Sequence, residues 1–141
     1  MNKKNKLIIS SAVAVILLIV TVVILTKEPS ETDSGKKKVA DRSLLAGNWL
    51  RTDSDYRILI SKINDDGSLE ANYFNPNPIN VGKANWEENN GNLKIIIELK
   101  DVNYPGSTYS LSYLPDRDVL AGDYYQAVEG LIFYVEFARN K

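Results

Sequence analysis

From Leu44 to the C-terminus, apolar side chains recur at every second position in short runs, and the runs stop at Gly, Asn, Asp or Pro. A period of two sends successive side chains to opposite faces of an extended chain, so it predicts half-buried antiparallel strands. The clearest run is LKIIIELK, residues 93–100, with Leu93, Ile95, Ile97 and Leu99 on one face and Lys94 and Glu98 on the other. Residues 131–139 repeat it with Leu131, Phe133, Val135 and Phe137 inward. Tyr109, Leu111 and Tyr113 form another inward row, as do Tyr56, Ile58 and Ile60, and again Leu69, Ala71 and Tyr73. Weaker alternation at 48–52, 81–87 and 119–126 brings the count to eight. Closure of such a set removes exposed edges, which predicts an all-β, eight-stranded antiparallel up-and-down barrel over residues 44–141. A two-sheet sandwich satisfies the same alternation.

The N-terminal pattern is different. Residues 7–26, LIISSAVAVILLIVTVVILT, carry no charge. A helix of that length spans about 30 Å, the thickness of a bilayer's hydrocarbon core. The run is longer than a signal-peptide core and ends in ILTKEPSE without a small-x-small cleavage site, so it predicts an uncleaved transmembrane signal anchor. Lys3, Lys4 and Lys6 make residues 1–6 a basic tail. The positive-inside rule then places the N-terminus in the cytoplasm and the domain outside the inner (cytoplasmic) membrane, as a single-pass protein. Residues 27–43, KEPSETDSGKKKVADRS, are polar and free of aromatics, and predict a flexible linker.

Composition narrows the chemistry. The chain has no Cys and no His, which removes disulfides, thiol nucleophiles, histidine bases and most transition-metal sites, and nothing in it implies a cofactor. Residues 1–41 hold seven Lys against four acids, +3, while residues 42–141 hold ten Lys and Arg against fourteen acids, −4. A mildly acidic domain without a basic stripe argues against nucleic acid as a partner.

In an up-and-down meander, successive connections alternate between the two ends of the barrel. Connections after strands 2, 4 and 6 contain Asn64-Asp65-Asp66-Gly67, Asn89-Asn90-Gly91 and Pro115-Asp116-Arg117-Asp118, tight turns at the end where the chain enters. Connections after strands 1, 3, 5 and 7 contain Asp53-Ser54-Asp55, NPNPIN, DVNYPGST and QAVEG. They gather Asn75, Asn77, Asn80, Asp101, Asn103, Tyr104, Tyr125 and Gln126 at the far rim, with Tyr109 and Tyr124 on the strands below. Two readings fit that rim. Pro and Gly place Tyr104-Pro105-Gly106-Ser107 in a type II turn, and Pro76 and Pro78 hold Asn75 and Asn77 extended, which is loop architecture alone. Amides and tyrosines on loops held by a rigid scaffold are also what a binding rim uses. Eight tyrosines against three phenylalanines sharpen the second reading, because inward tyrosines need partners for their hydroxyls.

Two resemblances attach to specific residues. Gly47-Asn48-Trp49 at the first strand and Arg139 at the end of the last resemble the Gly-x-Trp signature and closing basic residue of lipocalin-type barrels, in a domain nearer the size of avidin-like ones. That resemblance implies structural barrel closure, with Arg139 packed over Trp49 by a cation–π contact. YFNPNPINV, ELKDVNYPGSTYSLSY and GDYYQAV look like a widespread family of small, uncharacterised bacterial envelope proteins. It implies a bacterial, exported setting and carries no activity.

The expectation is a membrane-tethered extracytoplasmic binding module rather than an enzyme, taking a small molecule, glycan fragment or peptide at one barrel rim. The alternative is a structural or assembly partner of another envelope protein. A hydrolase built on the rim acids Asp53, Asp55, Asp101 and Glu129 comes third, since it needs one carboxyl held protonated.

Overall fold

The computed structural model describes residues 40–141. The expected basic tail, the anchor at 7–26 and the linker up to residue 39 lie outside the described residues. The described chain opens with a 3-10 turn, Arg42–Leu45, capped by the Asp41 carboxylate on the Ser43 amide at 3.0 Å. It thus includes Arg42 and Ser43, the last two residues of the linker segment.

Nine strands follow: β1 Gly47–Arg51, β2 Arg57–Ile63, β3 Leu69–Asn75, β4 Asn77–Ile79, β5 Val81–Asn89, β6 Asn92–Leu99, β7 Thr108–Leu114, β8 Val119–Gln126 and β9 Leu131–Arg139. All pairings are antiparallel, in the order β4-β3-β2-β1-β9-β8-β7-β6-β5, so the sheet curls into a nearly closed barrel. The seam lies between β3/β4 and β5. At one end it is bridged by Ser68 pairing with Asn85 and by the Trp86 amide on the Gly67 carbonyl at 2.8 Å. At the other end β4 runs into β5 through Asn80, whose carbonyl accepts from the Lys100 amide at 2.8 Å and extends the β5–β6 ladder.

The inward rows are those that alternation marks, except that at the open end of β9 Leu131 and Phe133, expected inward, are exposed, because the row there runs past the packed core. Ile58, Ile60, Leu93, Ile95, Ile97, Leu99, Tyr109, Leu111, Leu120, Val135 and Phe137 are buried in one cluster with Trp49 and Tyr73. The difference from the eight-strand expectation is β4. NPNPIN, read from sequence as a connection, turns sharply at Pro76 and lays Asn77–Ile79 back on β3, pairing Phe74 with Pro78 and Tyr73 with Ile79. Prolines cannot donate to a sheet ladder, and this strand tolerates Pro78 because it is an edge.

Arg139 ties together the end where β1 begins. Its guanidinium lies 4.1 Å from the centroid of the buried Trp49 ring. Nη1 and Nη2 donate to the Ala46 and Leu44 carbonyls, each at 2.7 Å, while Nε bonds Asp118 at 2.8 Å. Trp49 in turn donates from Nε1 to the Leu45 carbonyl at 2.9 Å.

Candidate functional site

At the opposite end the barrel is hollow. A cavity of about 290 Å³ is lined by Arg51, Tyr56, Tyr73, Asn75, Tyr104, Tyr109, Tyr124, Gln126 and Phe133. Each strand delivers its residue by parity. Trp49 and Arg51 share the inward face of β1, so burying the tryptophan also carries the arginine inside. Asn75 and Gln126 stand at the last inward positions of β3 and β8, above Tyr73 and Tyr124.

The floor is aromatic. Tyr109 stacks on Tyr124 with centroids 4.5 Å apart and planes 23° from parallel, and meets Tyr73 at 5.3 Å and Phe137 edge-on at 5.5 Å. Phe133 continues the stack beside Tyr124, 25° from parallel. The Tyr73 and Tyr109 hydroxyls bond each other at 2.8 Å, which gives each inward hydroxyl a partner and leaves one proton over. Burial pushes both phenols above their ordinary range, and for Tyr73 the neighbouring Tyr109 adds to the effect. Both therefore stay protonated while the unfolded chain ionises near pH 10. Their contribution to stability is fully present below about pH 10 and is lost as pH rises beyond it.

This pair predicts an asymmetric mutational result. Tyr109→Phe strands the Tyr73 hydroxyl and costs about 1–3 kcal/mol, whereas Tyr73→Phe with Tyr109→Phe, removing both partners, costs much less than twice that. Urea unfolding of both variants at pH 7 checks it: equal additive losses would mean the hydroxyls do not act as a unit.

Above the floor, the Asn75 amide donates to the Tyr104 hydroxyl at 2.6 Å, joining the end of β3 to the β6–β7 connection. Arg51 lies 5.4 Å from the Tyr56 ring centroid and bonds Asp53 through Nε at 2.6 Å and Nη2 at 3.2 Å. Its side chain is only 13% exposed, while that of Asp53 is 62% exposed, so the cation sits inside and its carboxylate partner at the mouth. The hydrogen bond from Arg51 holds the Asp53 carboxyl below the usual range, opposite to the protonated acid a glycosidase requires.

Of the ten rim and wall residues singled out in the sequence, the cavity brings together Asn75, Tyr104, Tyr109, Tyr124 and Gln126. The others lie elsewhere. Asn77 is exposed on β4, Asn80 bonds Asp101 at the seam at 3.4 Å, Asn103 is exposed in its loop, and Tyr125 points outward from β8. Arg51, Tyr56, Tyr73 and Phe133 complete the wall without having been picked as site residues. Their signal is their phase, since each continues an inward row. A second hollow, about 360 Å³, lies at the turn-rich end between Ala40–Arg42, Trp86 and Glu88, where Arg42 covers Trp86 at 5.2 Å.

No family model matches the chain, and neither a curated protein nor a solved structure matches it.

Proposed function

We propose that this protein is a membrane-tethered, extracytoplasmic binding module of the bacterial envelope that holds a small molecule in the open end of its barrel. The observation that carries the reading is the tyrosine-lined cavity with a single inward cation. It combines apolar surface with a few convergent polar groups, as small-ligand sites do. Binding, rather than turnover, fits a wall whose nearest acid is kept ionised by Arg51.

The test is a fragment screen by ligand-observed NMR on the full chain in a mild detergent, using neutral and charged fragments in equal number. Gln126→Trp, which fills the mouth, should abolish the hits, and Asn80→Ala, outside the cavity, should keep them. Hits that survive Gln126→Trp in a folded protein would move the site elsewhere. A specific place is then indicated by Val128, Ile132 and Tyr134, which are 61%, 67% and 65% exposed along the β8–β9 hairpin. Their exposure supports the second reading, docking of another envelope protein.

A further inference from the structure

The cavity's lining is unbalanced in charge and in protons. Among its nine residues there is one guanidinium and no carboxylate. Asp53 occupies Nε and Nη2 of Arg51 from the mouth side, and the two Nη1 protons lie outside that pair. The Tyr73–Tyr109 bond uses one of two hydroxyl protons and leaves the other. Whichever way the Asn75 amide is turned, its bond with Tyr104 uses one proton and leaves two. A ligand group that only accepts hydrogen bonds suits such a wall better than one that brings protons of its own. Shape adds a second constraint. Tyr124 and Phe133, 25° from parallel, carry the aromatic surface above the fully buried Tyr109, which favours a flat apolar body. A volume of about 290 Å³ stands at the lower end of small-ligand sites, which suits one ring with a headgroup and is too small for a sugar chain or a folded peptide.

We infer that the cavity takes a small planar organic anion, an aromatic carboxylate of one ring, with the ring on the tyrosine wall and the carboxylate on Arg51. This rests on the binding-module reading and names its ligand class. Arg51 is the specificity-determining residue, because its charge favours a carboxylate over a neutral acceptor of the same shape. Asp53, bonded to the opposite edge of the guanidinium, partly neutralises it and repels a ligand carboxylate, and so lowers the affinity from outside.

The experiment measures affinities for the full chain in detergent by NMR titration, using benzoate, its neutral isostere benzamide, the non-planar cyclohexanecarboxylate and inorganic phosphate. Benzoate should bind about tenfold tighter than benzamide, as expected for a hydrogen bond to a charged group. It should also bind several-fold tighter than cyclohexanecarboxylate, and phosphate should not compete. Arg51→Gln should erase the preference for benzoate over benzamide while keeping benzamide bound, and Asp53→Asn should tighten benzoate. If Arg51→Gln does not fold, Asp53→Asn decides alone, since tightening is not a consequence of damage. Equal binding of benzoate and benzamide, competition by phosphate, or weakening by Asp53→Asn overturns the anion inference and leaves the binding module standing. Loss of binding by all four probes, with other fragments also silent, overturns both.

Discussion

Replacing Gly122 with Ala should destabilise the barrel by about 3 kcal/mol. Gly122 lies in the middle of β8, paired with Leu111 on one side and Val135 on the other. A Cβ there would stand 2.2 Å from the Ser110 carbonyl oxygen and 3.2 Å from Leu111 Cα, both main-chain atoms held by the sheet. A side chain in the way can rotate, but here the backbone ladder itself has to part. The strand would lose pairing with β7 beside the Tyr109–Tyr124 stack, so the binding proposed for the cavity should weaken together with stability. Urea unfolding followed by the fluorescence of Trp49 and Trp86 checks the magnitude. A loss under about 1 kcal/mol would mean that β7 and β8 already separate at this point.

Arg139→Ala should cost about 3–4 kcal/mol, because one side chain holds four structures at once. Its removal leaves the Leu44 and Ala46 carbonyls and Asp118 without their donor, and uncovers the Trp49 ring. Arg139→Lys should recover little. An ammonium cannot reach two carbonyls and a carboxylate in one plane while lying flat on an indole. The hydrogen bond from Arg139, with lesser help from Tyr113, holds the Asp118 carboxyl below its ordinary value. A depressed carboxyl contributes stability above its unfolded pKa, near 4, and that contribution is lost as pH falls through the lower folded value. The gap between wild type and Arg139→Ala should therefore narrow under acid, which thermal unfolding at pH 7 and pH 3 measures. A gap that stays constant would place the energy in the carbonyl bonds and the packing on Trp49 rather than in the Asp118 pair.

Residues 93–99 and 131–139 were legible as strands because their inward rows are purely apolar, so period two shows without any help from context. The strand β4 was not legible. Its three residues include Pro78 and follow Pro76, and both erase the β signal that pairing with β3 restores. Whether a short segment pairs depends on a neighbour with a free edge, and local sequence does not carry that information. The same limit applies to the site. Parity put Asn75, Tyr104 and Gln126 at one end, but it could not say that Asn77 and Asn80 leave the rim to form the edge and seam. Arg51 was hidden for a different reason: an arginine at a strand end, two residues before Asp53, reads as a solvated surface pair. Only its being in phase with Trp49 shows that it points inward.

The short proline-bearing strand at the seam has a consequence for how copies of the chain behave together. A barrel that stops short of full closure keeps two free edges, and a regular free edge is a template on which another chain can add a strand. With three residues, one of them a proline lacking an N–H, the β4 edge offers too few donors for such growth. The Gly67–Ser68 turn bonds to Asn85 and Trp86, covering part of the β5 edge. The seam that leaves the barrel imperfect thereby offers a neighbouring barrel little regular edge on which to add a strand.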